Sequence, residues 1–305
     1  MDATPSVALP ADAERGIPAR PPAPLRIGPR EFEWGTRTFV MGILNITPDS
    51  FSGDGLYRSD TDYIAAAVAQ ARQMAAEGAD ILDVGGQSTR PGHVEIDPDD
   101  ERDRVVPVIR AVHEALPEIP ISVDTTRAGV AAEALDAGAQ LLNDVWGVAA
   151  EDDLLRLAAE RDTPLVLMHN RREARYRNVL GEVIADLERA VERAVEAGVA
   201  WASLILDPGI GFGKTAEHNL ELLNRLDALS ALGRPLLLGT SRKSTIGRVL
   251  DLPADQRVEG TLATTALGVR SGVDIVRVHD VAANVRAARM SDAIVRGRWR
   301  DPGGS

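Results

Sequence analysis

Four stretches of this sequence share one grammar: AEGADILDV at 76–84, DAGAQLLND at 136–144, EAGVAWASLILD at 196–207 and RSGVDIVRV at 270–278. Each reads as the end of a helix, then a glycine, then a short apolar strand. Gly78, Gly138, Gly198 and Gly272 fall where a helix stops on a left-handed residue, and the unbroken apolar runs after them suit strands covered on both faces. The same signals elsewhere predict strands over 39–44, 81–84, 121–123, 141–143, 165–168, 204–206, 236–238 and 275–278. Between them lie helical stripes, such as Ile64, Val68, Ala71 and Ala75, and again Leu220, Leu223 and Leu226. Alternating strand and helix implies a parallel sheet, because parallel neighbours need crossover connections.

Eight such units either close into a barrel or lie open as a doubly wound sheet. The polar residues decide between them. Asn45, Asp83, Asp124, Asn143, His169, Asp207, Ser241 and His279 each stand at or just past the C-terminal end of a different predicted strand. A barrel gathers those eight ends around one mouth, where barrel enzymes place their chemistry, whereas an open sheet strings them along an edge. The sequence therefore predicts an α/β fold, a single (β/α)8 TIM barrel.

A length of 305 residues with 44% hydrophobic and 26% charged residues suits one such barrel. Residues 1–30 hold seven of the 18 prolines and no apolar periodicity, so they read as a flexible, disordered Pro-rich tail. The barrel is then expected over 31–298, with a short C-terminal tail at 299–305. A net charge of −12 opposes binding to phosphate polymers and anionic lipid, so neither nucleic acid nor membrane is an expected partner. No apolar run is long enough to span a bilayer and the first 30 residues lack a secretory core, which makes a cytoplasmic location the expectation. The absence of cysteine excludes disulfides, thiolate nucleophiles and Cys-ligated metals.

Several loops carry chemistry-bearing residues. MGILNITPDSFSGDGL at 41–56 breaks an apolar strand with Gly-rich polar text too long for a minimal turn, and reads as a lid; DVGGQSTRPGH at 83–93 is a second Gly-rich loop with hydroxyls and an arginine. Taken singly, either is also an ordinary surface loop. LDPGIGFGKT at 206–215 invites a phosphate-loop reading, but Pro208 stands where that motif needs its first glycine. What remains there is Asp207 at a strand end, with Phe212 and Lys214 behind it. GTSRKSTIG at 239–247 opens a helix, so Ser241, Arg242, Lys243 and the helix N–H groups suit an anion. VRVHDV at 276–281 turns Arg277 and His279 to the same side by strand alternation; a salt-bridged arginine and a satisfied core histidine are the plainer alternative. The five histidines show no HExxH spacing, and no GxSxG elbow is present. A Mg2+ carried in by a phosphorylated substrate stays compatible with these residues.

Together these phrases closely resemble the dihydropteroate synthase family of folate biosynthesis, the target of sulfonamides. The matches are MGILNITPDSFS, DVGGQSTRPG, SVDTTRAGVA, LLNDVWG, LMHNR, LDPGIGFGKT, GTSRKSTIG and VRVHDV, in family order from Phe32 to Gly297. The resemblance implies a transferase that condenses 6-hydroxymethyl-7,8-dihydropterin diphosphate with p-aminobenzoate to 7,8-dihydropteroate and diphosphate, with Mg2+ as cofactor and a homodimer as the assembly. It places Asp124, Asn143 and Asp207 on the pterin edge, where a carboxylate can accept the 2-amino group and ring N–H in parallel. Met168 and Phe212 lie near the ring, and Lys243 on its polar atoms. Asn45, Arg277 and His279 meet the diphosphate, with Asn45 at the metal contact and Arg277 also suited to lie over the ring. Ser241 receives the aminobenzoate carboxylate. Thr89 and Arg90, with Asp49, Phe51, Ser52 and Asp54 of the lid, close over the second substrate. The expected mechanism is dissociative and SN1-like, with C–O cleavage ahead of amine attack.

This chain departs from the commonest family text in two places. Gln87 stands where many members carry glutamate, and the first loop reads SFSGDG, which moves an acidic residue one place later, to Asp54. Two other functions share the scaffold: a catalytically silent pterin-binding paralogue and a pterin-dependent methyltransferase. Retention of Asn45, Thr89, Arg90, Lys243, Arg277 and His279 argues against the first, and the second has no need of the STRP and SRK phrases.

Overall fold

A computed structural model describes residues 21–47, 62–87, 96–149 and 152–297. A small antiparallel hairpin comes first, β1 (Leu25–Ile27) and β2 (Arg30–Phe32), followed by β3 (Phe39–Asn45), α1 (Tyr63–Glu77), β4 (Ile81–Gly85) and α2 (Pro98–Ala115). Then come β5 (Ile121–Asp124), α3 (Ala128–Asp136), β6 (Leu141–Asp144), α4 (Asp152–Glu160), β7 (Leu165–Met168) and α5 (Val179–Glu196). The chain continues through β8 (Leu204–Asp207), α6 (Ala216–Asn224), β9 (Leu237–Leu238), α7 (Ser244–Leu250), α8 (Val258–Arg270), β10 (Ile275–Val278) and α9 (Val281–Arg296).

Strands β3 to β10 pair in parallel in the order 8-7-6-5-4-3-10-9. A parallel bridge between Leu206 and Leu236 joins β8 to the segment entering β9, which closes the ring into a (β/α)8 barrel. The repeated glycine grammar has a common geometry. After each of the four glycines the next N–H reaches back into the preceding helix: Ala79 to Met74 O at 2.9 Å, Ala139 to Ala134 O at 2.9 Å, Val199 to Ala194 O at 2.9 Å and Val273 to Gly268 O at 3.0 Å. Those glycines have φ between 88° and 115°, a region open to glycine at little steric cost.

Strand parity sorts the core. Met41, Ile81, Leu141, Val166, Ile205, Leu237 and Ile275 fill the barrel interior as one cluster, while their neighbours, such as Val40, Leu82, Leu142, Leu204 and Val276, pack outward against the helices. The interior cluster continues downward into Leu25, Ile27, Phe32, Trp34 and Phe39, so the hairpin plugs the N-terminal end of the barrel. Phe32, Trp34 and Phe39 pack together with ring centroids 4.8–5.7 Å apart, Phe32 stacked on Trp34 and Trp34 edge-to-face with Phe39. Gly35 N donates to Asp274 Oδ1 at 3.2 Å, Arg37 pairs with both oxygens of Asp80, and Thr38 N donates to Asp292 Oδ2 at 2.8 Å.

Three details differ from the sequence reading. Ordered structure begins before Glu31, because Leu25, Ile27 and Phe32 supply too short an alternation to register among the prolines, yet all three are buried. Most strands run one residue further than their apolar runs, through Asn45, Gly85, Asp124, Asp144 and Asp207, since a polar side chain does not interrupt the backbone ladder. The stripe Leu220, Leu223, Leu226 is not the inward line of α6: Leu220 is exposed and Leu222 is buried instead. That helix ends at Asn224 and a 3-10 stretch, Leu226–Leu232, follows, so the three-residue spacing crosses a break.

Candidate active site

The parity that buries the barrel interior also builds its mouth. Two residues beyond Ile81, Leu141, Val166, Ile205 and Ile275 stand Asp83, Asn143, Met168, Asp207 and Arg277, so each projects into the barrel one layer above an apolar side chain. Asp124 joins them from β5, in register with Asn143.

Arg277 is the centre of this layer. Its Nε donates to Asp83 Oδ2 at 2.6 Å and its Nη2 to Asp124 Oδ2 at 2.8 Å, bridging two buried carboxylates. Asn143 Nδ2 donates to the same Asp83 oxygen at 3.2 Å, which leaves the amide oxygen of Asn143 as its acceptor. Oδ1 of Asp83 and Oδ1 of Asp124 are buried with no hydrogen-bond partner among the described residues. Such atoms are costly unless something donates to them.

Across the mouth, Asp207 Oδ1 accepts from Gly209 N at 2.7 Å and starts a loop that curls back past Phe212. Lys243, at the start of α7, donates from Nζ to Ile210 O at 2.5 Å and lies 4.4 Å from the Phe212 ring centroid. Gly239 lines this floor beside Asp207 and Lys243, where a Cβ would make ordinary contacts of 3.7 Å with Asp207 Oδ2 and Lys243 Nζ. Ser241 Oγ accepts from His279 N at 3.1 Å and contacts its Nδ1 at 2.9 Å. Arg242, read from sequence as a partner for an anion, instead forms a two-point pair with Asp280, Nε to Oδ2 at 3.0 Å and Nη2 to Oδ1 at 2.6 Å.

Burial shapes the ionisation of these groups. It pushes the Asp124 carboxyl up to about 7, with Arg277 opposing the shift. It raises Asp207 as well, with Lys243 opposing. Lys243 is lowered to about 8 by burial, partly offset by Asp207. Burial works against the charge on Arg277, but Asp83 and Asp124 outweigh it and leave the guanidinium above its ordinary value.

Asp124, Asn143, Met168, Asp207, Phe212, Lys243 and Arg277 thus gather about the barrel mouth, with Ser241 and His279 joined beside them and Asn45 at the end of β3. Thr89, Arg90, Asp49, Phe51, Ser52 and Asp54 lie outside the described residues. His169 does not join the mouth: it is fully buried, with Nε2 on Asp186 of α5 at 3.1 Å and Nδ1 on Lys214 at 2.8 Å. It follows the outward-facing Leu167 by two positions, so the strand's own alternation carries it behind the sheet. Asp83 was read only as a strand-end polar residue; its place two positions beyond Ile81 is the signal that puts it beneath Arg277.

A (β/α)8 barrel whose mouth holds buried carboxylates, an amide acceptor and two cations is the architecture of pterin-binding enzymes. The chain belongs to the pterin-binding enzyme family, whose model matches residues 41–279. It is 50% identical over 273 residues to the dihydropteroate synthase of Clostridium beijerinckii, covering 89% of this chain and 100% of that one. The dihydropteroate synthase of Clostridium difficile, solved in the presence of pteroic acid, superposes with a TM-score of 0.82 at 48% identity, over 87% of this chain and 99% of that one. The Xanthomonas albilineans dihydropteroate synthase solved with 4-aminobenzoic acid gives 0.83 at 39% identity, over 90% and 98%.

Proposed function

We propose that this chain acts as a dihydropteroate synthase in folate biosynthesis, joining 6-hydroxymethyl-7,8-dihydropterin diphosphate to p-aminobenzoate and releasing 7,8-dihydropteroate and diphosphate. The observation that carries the reading is the acceptor-rich layer formed by Asp124, Asn143 and Asp207 around the Arg277 bridge, with Asp124 Oδ1 buried and unsatisfied. A planar ligand edge rich in N–H groups complements that layer, as the 2-amino and ring N–H groups of a pterin do. Lys243 supplies the counter-charge on the opposite side, and Phe212 an apolar face.

The protein's task is positioning and charge neutralisation. In the dissociative route the methylene C–O bond breaks first and its electron pair leaves with the diphosphate, the electron-rich dihydropterin carrying the positive charge. The aminobenzoate nitrogen then forms the C–N bond and sheds a proton, so no side-chain nucleophile is needed. Ser241, beside the start of α7, suits the aminobenzoate carboxylate, and His279 suits the leaving diphosphate. Arg277, tied to Asp83 and Asp124, serves the pterin end of the site in this geometry. Thr89, Arg90, Asp49, Phe51, Ser52 and Asp54 complete the proposal as the groups that close over aminobenzoate.

No cluster of three His, Cys, Asp or Glu among the described residues could hold a metal. Mg2+ brought in on the diphosphate would need few protein ligands, and the Asn45 amide oxygen at the end of β3 is the side chain that would hold it. When bound, the ion would neutralise charge developing on the leaving group.

Exposed Val249, Leu250, Leu267, Met290 and Ile294 on α7, α8 and α9 support a homodimer through that side of the barrel, which sedimentation would test. No helix of the described residues is long and apolar enough to cross a membrane.

The function is tested with purified protein, the dihydropterin diphosphate, labelled p-aminobenzoate and Mg2+, omitting each in turn. Label entering dihydropteroate only when both substrates are present is the expected result, and a sulfonamide should compete with aminobenzoate. Pterin binding without product would instead indicate the silent paralogue, or the methyltransferase if a methyl group reaches a corrinoid.

A further inference from the structure

The LDPGIGFGKT stretch resembles a phosphate loop, yet its lysine faces the other way. Lys214 Nζ lies 3.0 Å from Gly209 O, 3.0 Å from Phe212 O, 3.4 Å from His169 O and 2.8 Å from His169 Nδ1. The loop curls around this nitrogen, with Gly209, Gly211 and Gly213 at φ of 67°, 85° and 55°. It also lies directly on the backbone after β7: a Cβ on Gly209 would sit 1.8 Å from His169 O, and one on Gly213 2.1 Å from Arg171 O. The lysine nitrogen is thus surrounded by carbonyl oxygens that favour its ammonium form, while burial draws its pKa down to about 7 with Asp207 opposing.

Asp207 is the carboxylate that chiefly favours the charge, and a polar relay continues behind the nitrogen. With Lys214 donating to Nδ1, His169 carries its proton on Nε2 and donates it to Asp186 Oδ2 at 3.1 Å. Asp186 in turn is held by Arg171 through Nε at 2.9 Å and Nη2 at 2.7 Å, and by Arg189. On its other face the same loop presents Ile210 O to Lys243 and the Phe212 ring to the mouth, and its first residue is Asp207. Two lysines therefore grip one loop from opposite sides, Lys243 at the substrate and Lys214 in the protein.

We propose that Lys214 is a positioning residue for the pterin: its ammonium is a built-in cation that shapes the Asp207–Lys214 loop and so aims Asp207 and Phe212 into the site. The proposal rests on the pterin reading above. Its specific consequence is that the lysine can be replaced by a free cation, which a residue that merely supports the fold cannot.

The test measures the dissociation constant for the dihydropterin diphosphate by calorimetric titration in the parent, Lys214→Met and Lys214→Ala proteins, together with the KM for aminobenzoate at saturating pterin. Both variants should lose pterin affinity by about 10-fold to 100-fold, the range expected when a binding group is misplaced by an ångström, with the aminobenzoate KM changed far less. Ammonium chloride should restore affinity to Lys214→Ala, whereas tetramethylammonium chloride at equal ionic strength, too large for the nest, should not. Unchanged pterin affinity in both variants overturns the proposal. So does a loss that ammonium leaves unrestored, or failure of both variants to fold, since each assigns Lys214 to general support. If the parent itself binds no pterin, the functional reading fails instead, which separates the two outcomes.

Discussion

Replacing Arg277 with methionine keeps the stem of the side chain and removes the charge that joins Asp83 to Asp124. Asp83 is fully buried and Asp124 nearly so, and among the described residues the Asn143 amide is then the donor left to Asp83. Removing one partner of a buried ion pair costs about 3–5 kcal/mol, because a carboxylate is left uncompensated. The cost should depend on pH in a calculable way. In the parent, burial already holds Asp124 up to about 7 despite Arg277, so its native state releases close to one proton between pH 6 and 8. Without Arg277 the carboxyl rises further and native protein keeps that proton throughout, while the unfolded chain is ionised across the range. Stability therefore falls with pH in both proteins, by about 1.4 kcal/mol over this window in the parent and about 2.7 kcal/mol in the variant. Urea unfolding at pH 6, 7 and 8 reads the difference directly. The deficit of the variant should widen by about 1.4 kcal/mol from pH 6 to pH 8. A deficit below about 1 kcal/mol at pH 8, or one independent of pH, would refute the bridge as the organising charge of the site.

His169 is held down to about 3 by burial, with Lys214 adding to the effect, so it stays neutral in the native state where the unfolded chain takes up a proton. Stability should fall as pH drops from about 6.5 toward 3, at up to about 1.4 kcal/mol per pH unit, and Lys- and Asp-contacting His169→Gln should flatten that slope in a denaturation series. Gly209→Ala places a methyl 1.8 Å from His169 O, and the displaced loop should weaken pterin binding by at least about tenfold in a titration. Ile27→Ala, in the plug at the far end of the barrel, should lower stability by about 2–5 kcal/mol in thermal or urea unfolding while leaving kcat per folded molecule unchanged.

The barrel was legible because its strands obey two periods at once. Runs such as Ile81 to Val84 are apolar enough to mark a strand, and in most of them the polar residue within or after the run sits on the inward parity, His169 being the exception. That is why Asp124, Asn143, Asp207 and Arg277 could be chosen from the sequence. The partners of those residues were not legible. Nothing in the phrase VRVHDV says that Arg277 turns to Asp83, 194 positions earlier, or that Arg242 is engaged by Asp280. Pairing of charges across a barrel is a property of its closure and register, which no local window contains. The hairpin escapes the sequence for the opposite reason: three buried apolar residues divided by the Gly28–Pro29 turn carry too little pattern, although the aromatic cluster they join is extensive.

The plug at the foot of the barrel also fixes an order of events during synthesis. Residues 25–40 leave the ribosome before the rest of the barrel, yet Gly35 needs Asp274, Thr38 needs Asp292 and Phe39 pairs with Ile275 of β10. That segment must wait for partners 239 and 254 positions further along before it can settle. Until then Ile27, Phe32, Trp34 and the open edge of β3 have no cover, so the incomplete chain is exposed to association through those surfaces. Sealing the foot of the barrel therefore requires the hairpin segment to meet β10 and α9, and a chain cut short before α9 would lack Asp292, the anchor that holds Thr38 there.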